Sequence, residues 1–138
     1  MSLYVDILII RLNKIIMVKK NITWLAKYDD YSSMGILSQK ILENLKDVNV
    51  SCKEIIGKTE TENKLVHDLL NKPINHDIGI MFAYPDMVSE LKDFKTKVIY
   101  TGVDTTKGYS RFISKSQEID YILTPSNLSR ERMINMGD

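Results

Sequence analysis

A chain of 138 residues is long enough for one domain with a real core and too short for two nucleotide-binding domains facing each other across a cleft. Its 19 Lys and Arg nearly balance 18 Asp and Glu, a formal net charge of +1, so no whole-chain field draws in acidic lipid or nucleic acid, and no nucleic-acid partner is expected. The single cysteine, Cys52, rules out an internal disulfide and a thiolate metal cage and fits a reducing compartment, which points to the cytoplasm.

The opening segment is crowded with Leu3, Val5, Ile7, Leu8, Ile9 and Ile10, yet Asp6, Arg11 and Lys14 interrupt it. It is too broken to span a bilayer. Its positive charges come late and no small-residue cleavage site follows, so it does not read as a signal peptide. Met17 directly precedes the first well-patterned strand, which makes it an alternative native start and residues 1–16 an upstream extension. The other reading is an extra edge element over residues 1–19. Either way, an apolar stretch over residues 1–18 offers a route to self-association, and a place peripheral to the membrane is the other location open to the chain.

From residue 20 onward short apolar runs alternate with helical patterns, the signature of a mostly parallel, doubly wound α/β sheet. A first strand is expected from about Asn21 to Lys27, then a polar turn over residues 28–33. Ile36, Leu37, Ile41, Leu42 and Leu45 make one helical face. A second strand covers roughly Val48 to Ile55. Thr59 and Glu62 have capping-box spacing ahead of Leu65, Val66, Leu69 and Leu70, and that helix stops before Pro73.

The third strand, about Asp77 to Ala83, is nearly all apolar, as suits a central parallel strand. Pro85 opens the next helix, where its missing N–H costs little. A fourth strand over Lys97 to Thr101 leads into the polar loop 102–108 and a short helical candidate from Tyr109 to about Lys115. The fifth strand is Asp120 to Leu123, and Pro125-Ser126 starts a last helix with Ser126 as its N-cap and Gly137 as its stop. Five strands with helical crossovers form one Rossmann-like domain over residues 20–138.

Ligands of such sheets sit beyond the carboxyl ends of the strands, so function is sought in the turns at 28–35, 83–86, 101–108 and 124–127. The first offers hydroxyls and amides at a helix start, with Gly35 allowing close approach; Ser32 or Ser33 acting only as a cap explains it equally well. One glycine, and Lys53 where a ribose-binding acid belongs, disfavour a plain NAD site. Asp104 beside Thr105 can bind hydroxyls or act as a base, or belong to a solvated loop. Tyr28, Tyr31 and Tyr84 fall in strand-end turns where a ring can stack on a sugar. His67 and His76 have no partners at ligand spacing, so no metal is expected, and Cys52 reads as a small core residue.

Three runs resemble a known family. ITWLAKYDDYSSMG at 22–35, YTGVDTT at 100–106 and IDYILTPSNLS at 119–129, with Met136-Gly137 behind it, are similar to segments in the amino-terminal domain of GT-B fold glycosyltransferases of the large retaining, GT4-like group. The resemblance implies an acceptor-side domain whose carboxyl-terminal donor domain is missing from this chain. It implies that Ser33, Met34 and Gly35 face the donor diphosphate through their backbone, that Tyr84, Asp104 and Thr105 face a sugar or glycan-type acceptor, and that Ser126 caps its helix near the cleft. A histidine that many relatives carry after the fourth strand is absent, so no catalytic residue is assigned. No cofactor is expected on this chain alone. A nucleotide-sugar donor belongs to the full-length enzyme, and the isolated chain is expected to be inactive.

A receiver-type signalling domain has the same layout, and Asp29-Asp30 sits where its acidic pair would be. The third strand, however, ends in Met81, Phe82 and Ala83 where a phosphorylatable aspartate is required, and Thr124 stands in place of a lysine. That leaves a degenerate receiver-like or other non-catalytic Rossmann-like module as the alternative.

Overall fold

The computed structural model describes residues 21–45, 48–100 and 119–123. The extension at 1–19, the loop holding Asp104 and Thr105, the helical candidate from residue 109 and the Ser126 helix lie outside them. Five strands form one sheet: β1 (Asn21–Ala26), β2 (Asn49–Glu54), β3 (Ile78–Met81), β4 (Thr96–Tyr100) and β5 (Tyr121–Leu123). All neighbours are parallel and the order is β2-β1-β3-β4-β5. The chain steps outward from β1 to β2, then returns past β1 to build the other side. The β1/β3 junction is therefore the topological switch point.

Alternation along each strand sorts the two faces. Ile22, Trp24 and Ala26 of β1 turn one way, into a core shared with Val50, Cys52, Ile78, Ile80 and Val98. Two helices cover that face: α1 (Ser33–Asn44) brings Ile41 and Leu42, and α2 (Lys64–Leu70) brings Val66. Leu25, Met81 and Ile99 point the other way, where Val88, Leu91 and Phe94 pack on them.

This second face is covered by a 3-10 helix, Pro85–Leu91, where the sequence pattern alone suggested an ordinary helix. Its N-cap, Tyr84, makes no side-chain capping bond, so the first turn lacks the satisfaction that favours longer α-helices.

The α2 start also differs from expectation. Asn63, not Thr59, is the N-cap, its side chain accepting from the Leu65 amide. Thr59 donates its own N–H to Glu54, while Thr61 bonds outward to Asp30. Competing partners thus draw residues 59–62 away from the helix, which begins one residue after Asn63.

The buried polar side chains of β1 are matched across elements. The Trp24 indole donates to Ser38 Oγ at 3.1 Å, tying β1 to α1. Thr23 Oγ1 donates to the Asn75 carbonyl at 2.8 Å, so the Ser51 hydroxyl, also at 2.8 Å, must be the donor in the Thr23–Ser51 pair. Among the described residues no helix is long and apolar enough to cross a membrane.

Gly79 permits the close seating of the second layer. A Cβ there would lie 2.6 Å from Phe94 Cγ and 2.8 Å from Leu91 Cδ2. Gly79→Ala is expected to destabilise the domain by about 1–3 kcal/mol through overpacking, outweighing the usual strand preference for a side chain. Urea denaturation measures it; an unchanged midpoint contradicts the packing argument.

Candidate functional site

The site is built at the carboxyl edge of the sheet, starting from the turn that follows β1. Lys27 Nζ lies 3.2 Å from Asp29 Oδ2. Asp29 Oδ1 accepts the Ser32 hydroxyl at 2.6 Å and the Ser32 amide at 3.2 Å. Ser32 Oγ in turn accepts the Gly35 amide at 3.0 Å, and its carbonyl accepts the Ile36 amide at 3.0 Å. Ser32 is therefore the cap of α1, and Ser33 is not.

This arrangement decides what remains for a ligand. The amides of Gly35 and Ile36 are taken, while those of Ser33 and Met34 have no acceptor among the described residues. Two N–H groups on the first turn of a 12-residue helix, at its positive end, are what an anion would meet. Ser33 is exposed and Met34 half-buried.

Gly35 serves the turn itself. It is buried, and a Cβ on it would meet Asp29 Oδ1 at 2.2 Å, Asp29 O at 2.3 Å and Asp29 N at 2.7 Å. The missing side chain lets α1 begin directly against the Asp29 backbone.

The two carboxylates of this turn are both committed. The Ser32 hydroxyl, assisted by Lys27, holds Asp29 below its ordinary value against the opposing effect of burial. The Gln39 amide and then the Thr61 hydroxyl do the same for Asp30. Among the described residues no cluster of three or more His, Cys, Asp or Glu can hold a metal ion.

On the neighbouring strand, the Phe82 amide donates to the Leu25 carbonyl at 2.9 Å and carries the β1–β3 pairing past the end of β3. Phe82 packs edge-on against Tyr100, centroids 4.8 Å apart, and Ala83 is buried. Tyr84 then emerges with 60% of its surface exposed. The described part of the candidate site thus sets Ser33, Met34 and Gly35 and Tyr84 at the ends of adjacent strands, on the switch point. Asp104, Thr105 and Ser126 lie outside the described residues.

The aromatic residues need one correction. Tyr28 is fully buried, with its hydroxyl donated to the Trp24 carbonyl, and cannot stack on a ligand. Burial first, then the neighbouring Cys52, raises its pKa well above the ordinary value. Tyr31, 78% exposed, keeps a free ring. Cys52 is a buried core thiol pushed up to about 12 by desolvation, hence not a nucleophile near neutral pH. His67 is exposed and bonded to the Thr61 carbonyl, and His76 tilts against Phe94 at 5.1 Å.

Sequence reasoning missed Gln39. A signal was present: it lies four residues after Gly35, so it shares the helix face that the glycine turns toward the loop. No family model, curated protein or solved structure matches the chain.

Gly35→Ala pits an ordinary helix gain of about 1 kcal/mol against backbone overlap that the helix cannot relieve by turning a side chain. The overlap wins, and a net loss of about 1–3 kcal/mol is expected in urea denaturation; a stabilised variant contradicts it. Because both Asp29 and Asp30 are depressed below 3.8, their contribution is fully present above about pH 4 and is lost as pH falls through the lower folded values. An acid titration of the domain is expected to show stability falling below pH 4, and less steeply in Asp29→Asn.

Proposed function

We propose that the domain is the acceptor-side half of a two-domain glycosyltransferase acting in the cytoplasm. The observation that carries this reading is the pair of unclaimed amides, Ser33 and Met34, at the start of α1 beside the β1/β3 switch point. A diphosphate is the ligand chemistry that such a helix start favours, and a donor domain closing from outside would deliver one there. Exposed Tyr84, at the end of the adjacent strand, offers an aromatic face to a sugar ring. The resemblance of residues 22–35, 100–106 and 119–129 supplies the family and adds Asp104 and Thr105 as acceptor contacts.

In this reading the chain positions the acceptor and presents two donors to the diphosphate. The cations that bind the nucleotide, and the closure that excludes water, come from the donor domain. The chain alone therefore binds a nucleotide-sugar weakly and transfers nothing.

Strand order favours a second reading. The order 2-1-3-4-5 is shared by flavodoxin-like and receiver-like domains, which work as stand-alone binding or signalling modules. An active receiver needs a phosphoacceptor carboxylate after β3, and Met81, Phe82 and Ala83 provide none. A degenerate receiver-like module without phosphoryl chemistry is the form that this reading takes.

Calorimetry with a uridine diphosphate sugar is expected to give a Kd no tighter than about 1 mM, while pyrophosphate shifts the Ser33 and Met34 amide resonances. Tight stoichiometric binding of the nucleotide-sugar would overturn the half-domain reading. A silent response of both amides would remove the diphosphate contact, and a stable acyl phosphate formed with acetyl phosphate would favour the receiver.

A further inference from the structure

We propose that Gln39 is a positioning residue that locks the turn after β1 (residues 28–32) and the segment before α2 (residues 59–63) into one mechanical unit. The inference stands on hydrogen-bond geometry and does not depend on the glycosyltransferase reading.

Gln39 projects from α1 between the two segments. Its Nε2 donates to the Tyr28 carbonyl at 2.7 Å and to Asp30 Oδ1 at 2.8 Å. The Asp29 carbonyl and Thr61 Oγ1, both at 3.3 Å, complete the ring of acceptors around it. An amide nitrogen has two hydrogens, so the two short contacts take them and the longer pair adds weaker attraction. The other end of the side chain, Oε1, accepts from Asn63 Nδ2 at 3.0 Å. Only this orientation of the amide satisfies both ends, since a flip would set an oxygen against two carbonyls and a carboxylate, and a nitrogen against the Asn63 amide nitrogen.

Asn63 extends the link. Its Oδ1 caps α2 by accepting the Leu65 amide at 3.1 Å, while its Nδ2 holds Gln39 and also reaches Glu43 at 3.2 Å. One end of Asn63 therefore starts a helix and the other end grips the β1 turn. A parallel tie runs beside it: Thr61 Oγ1 donates to Asp30 Oδ1 at 2.8 Å, and the Asp30 amide donates to the Glu60 carbonyl at 3.3 Å.

Such a network moves as a unit because its members share partners, so losing Gln39 removes a bond from Tyr28, Asp30 and Asn63 together. Displacement of the β1 turn reaches Asp29 and Asp30, then Gln39 and Asn63, and so the first turn of α2. The sheet lies outside this route.

Native-state hydrogen exchange on the full chain tests the lock, with Gln39→Met and Gln39→Glu; the second keeps length and acceptor but loses both N–H donors. The amides of Asp30, Ser32 and Leu65 are expected to exchange roughly fivefold faster or more, while Ile80 and Val98 in mid-sheet keep their rates. Thr61→Val approaches from the opposite side without touching the core, and is expected to accelerate Ser32 as well as Leu65. Acceleration confined to one of the two segments overturns the lock. So does no change, or a uniform acceleration that includes the sheet, because that is what a merely stabilising contact produces.

Discussion

Strand β1 is paired on both sides, and each residue from Ile22 to Ala26 is buried. Everything else is arranged around that constraint. A strand enclosed on two edges and two faces must find a partner for each polar atom it carries inward. Trp24 is the most demanding, since its large ring fills the core under α1 and its N–H needs an acceptor that only a small polar residue can place there. Ser38 supplies it, and so fixes α1 over the sheet. Thr23, facing the other way, is matched by Ser51 and by the Asn75 carbonyl, which holds the return loop to the sheet where β3 begins.

The position of α1 in turn determines the site. Once Ser38 is seated, Gly35 lies one turn earlier against the Asp29 backbone, at separations no side chain tolerates. The turn after β1 is thereby compressed between strand and helix. Its two carboxylates serve to hold that compression, Asp29 through Ser32 and Lys27, Asp30 through Gln39 and Thr61. The acidic pair that sits where a receiver would carry its own is a set of structural ties here, and the unclaimed backbone amides are what the turn offers outward.

Much of the fold was legible because a buried parallel strand announces itself as an apolar run. The five strands fall within one or two residues of their expected bounds, and their order completes the doubly wound sheet. The site was less legible, since its decisive features are contacts between segments far apart in sequence. Thr61 lies 31 residues from Asp30, so local spacing assigned its neighbourhood to a helix cap. Tyr28 illustrates the opposite error. Its place next to a polar turn suggested a ligand-facing ring, but the strand register carries it into the core, where the Trp24 carbonyl satisfies its hydroxyl.

Cys52 gives the domain an internal clock. It sits in the middle of β2, opposite Trp24 in the register, on the face that α1 and α2 cover. With its thiol protonated up to about 12, a labelling reagent in neutral solution finds neither access nor a thiolate while the fold is closed. Covalent capture then requires that face to open, whether the helices lift from the sheet or the edge strand β2 peels from β1. The rate at which this sulfur is trapped counts openings of the core, with no probe added to the chain.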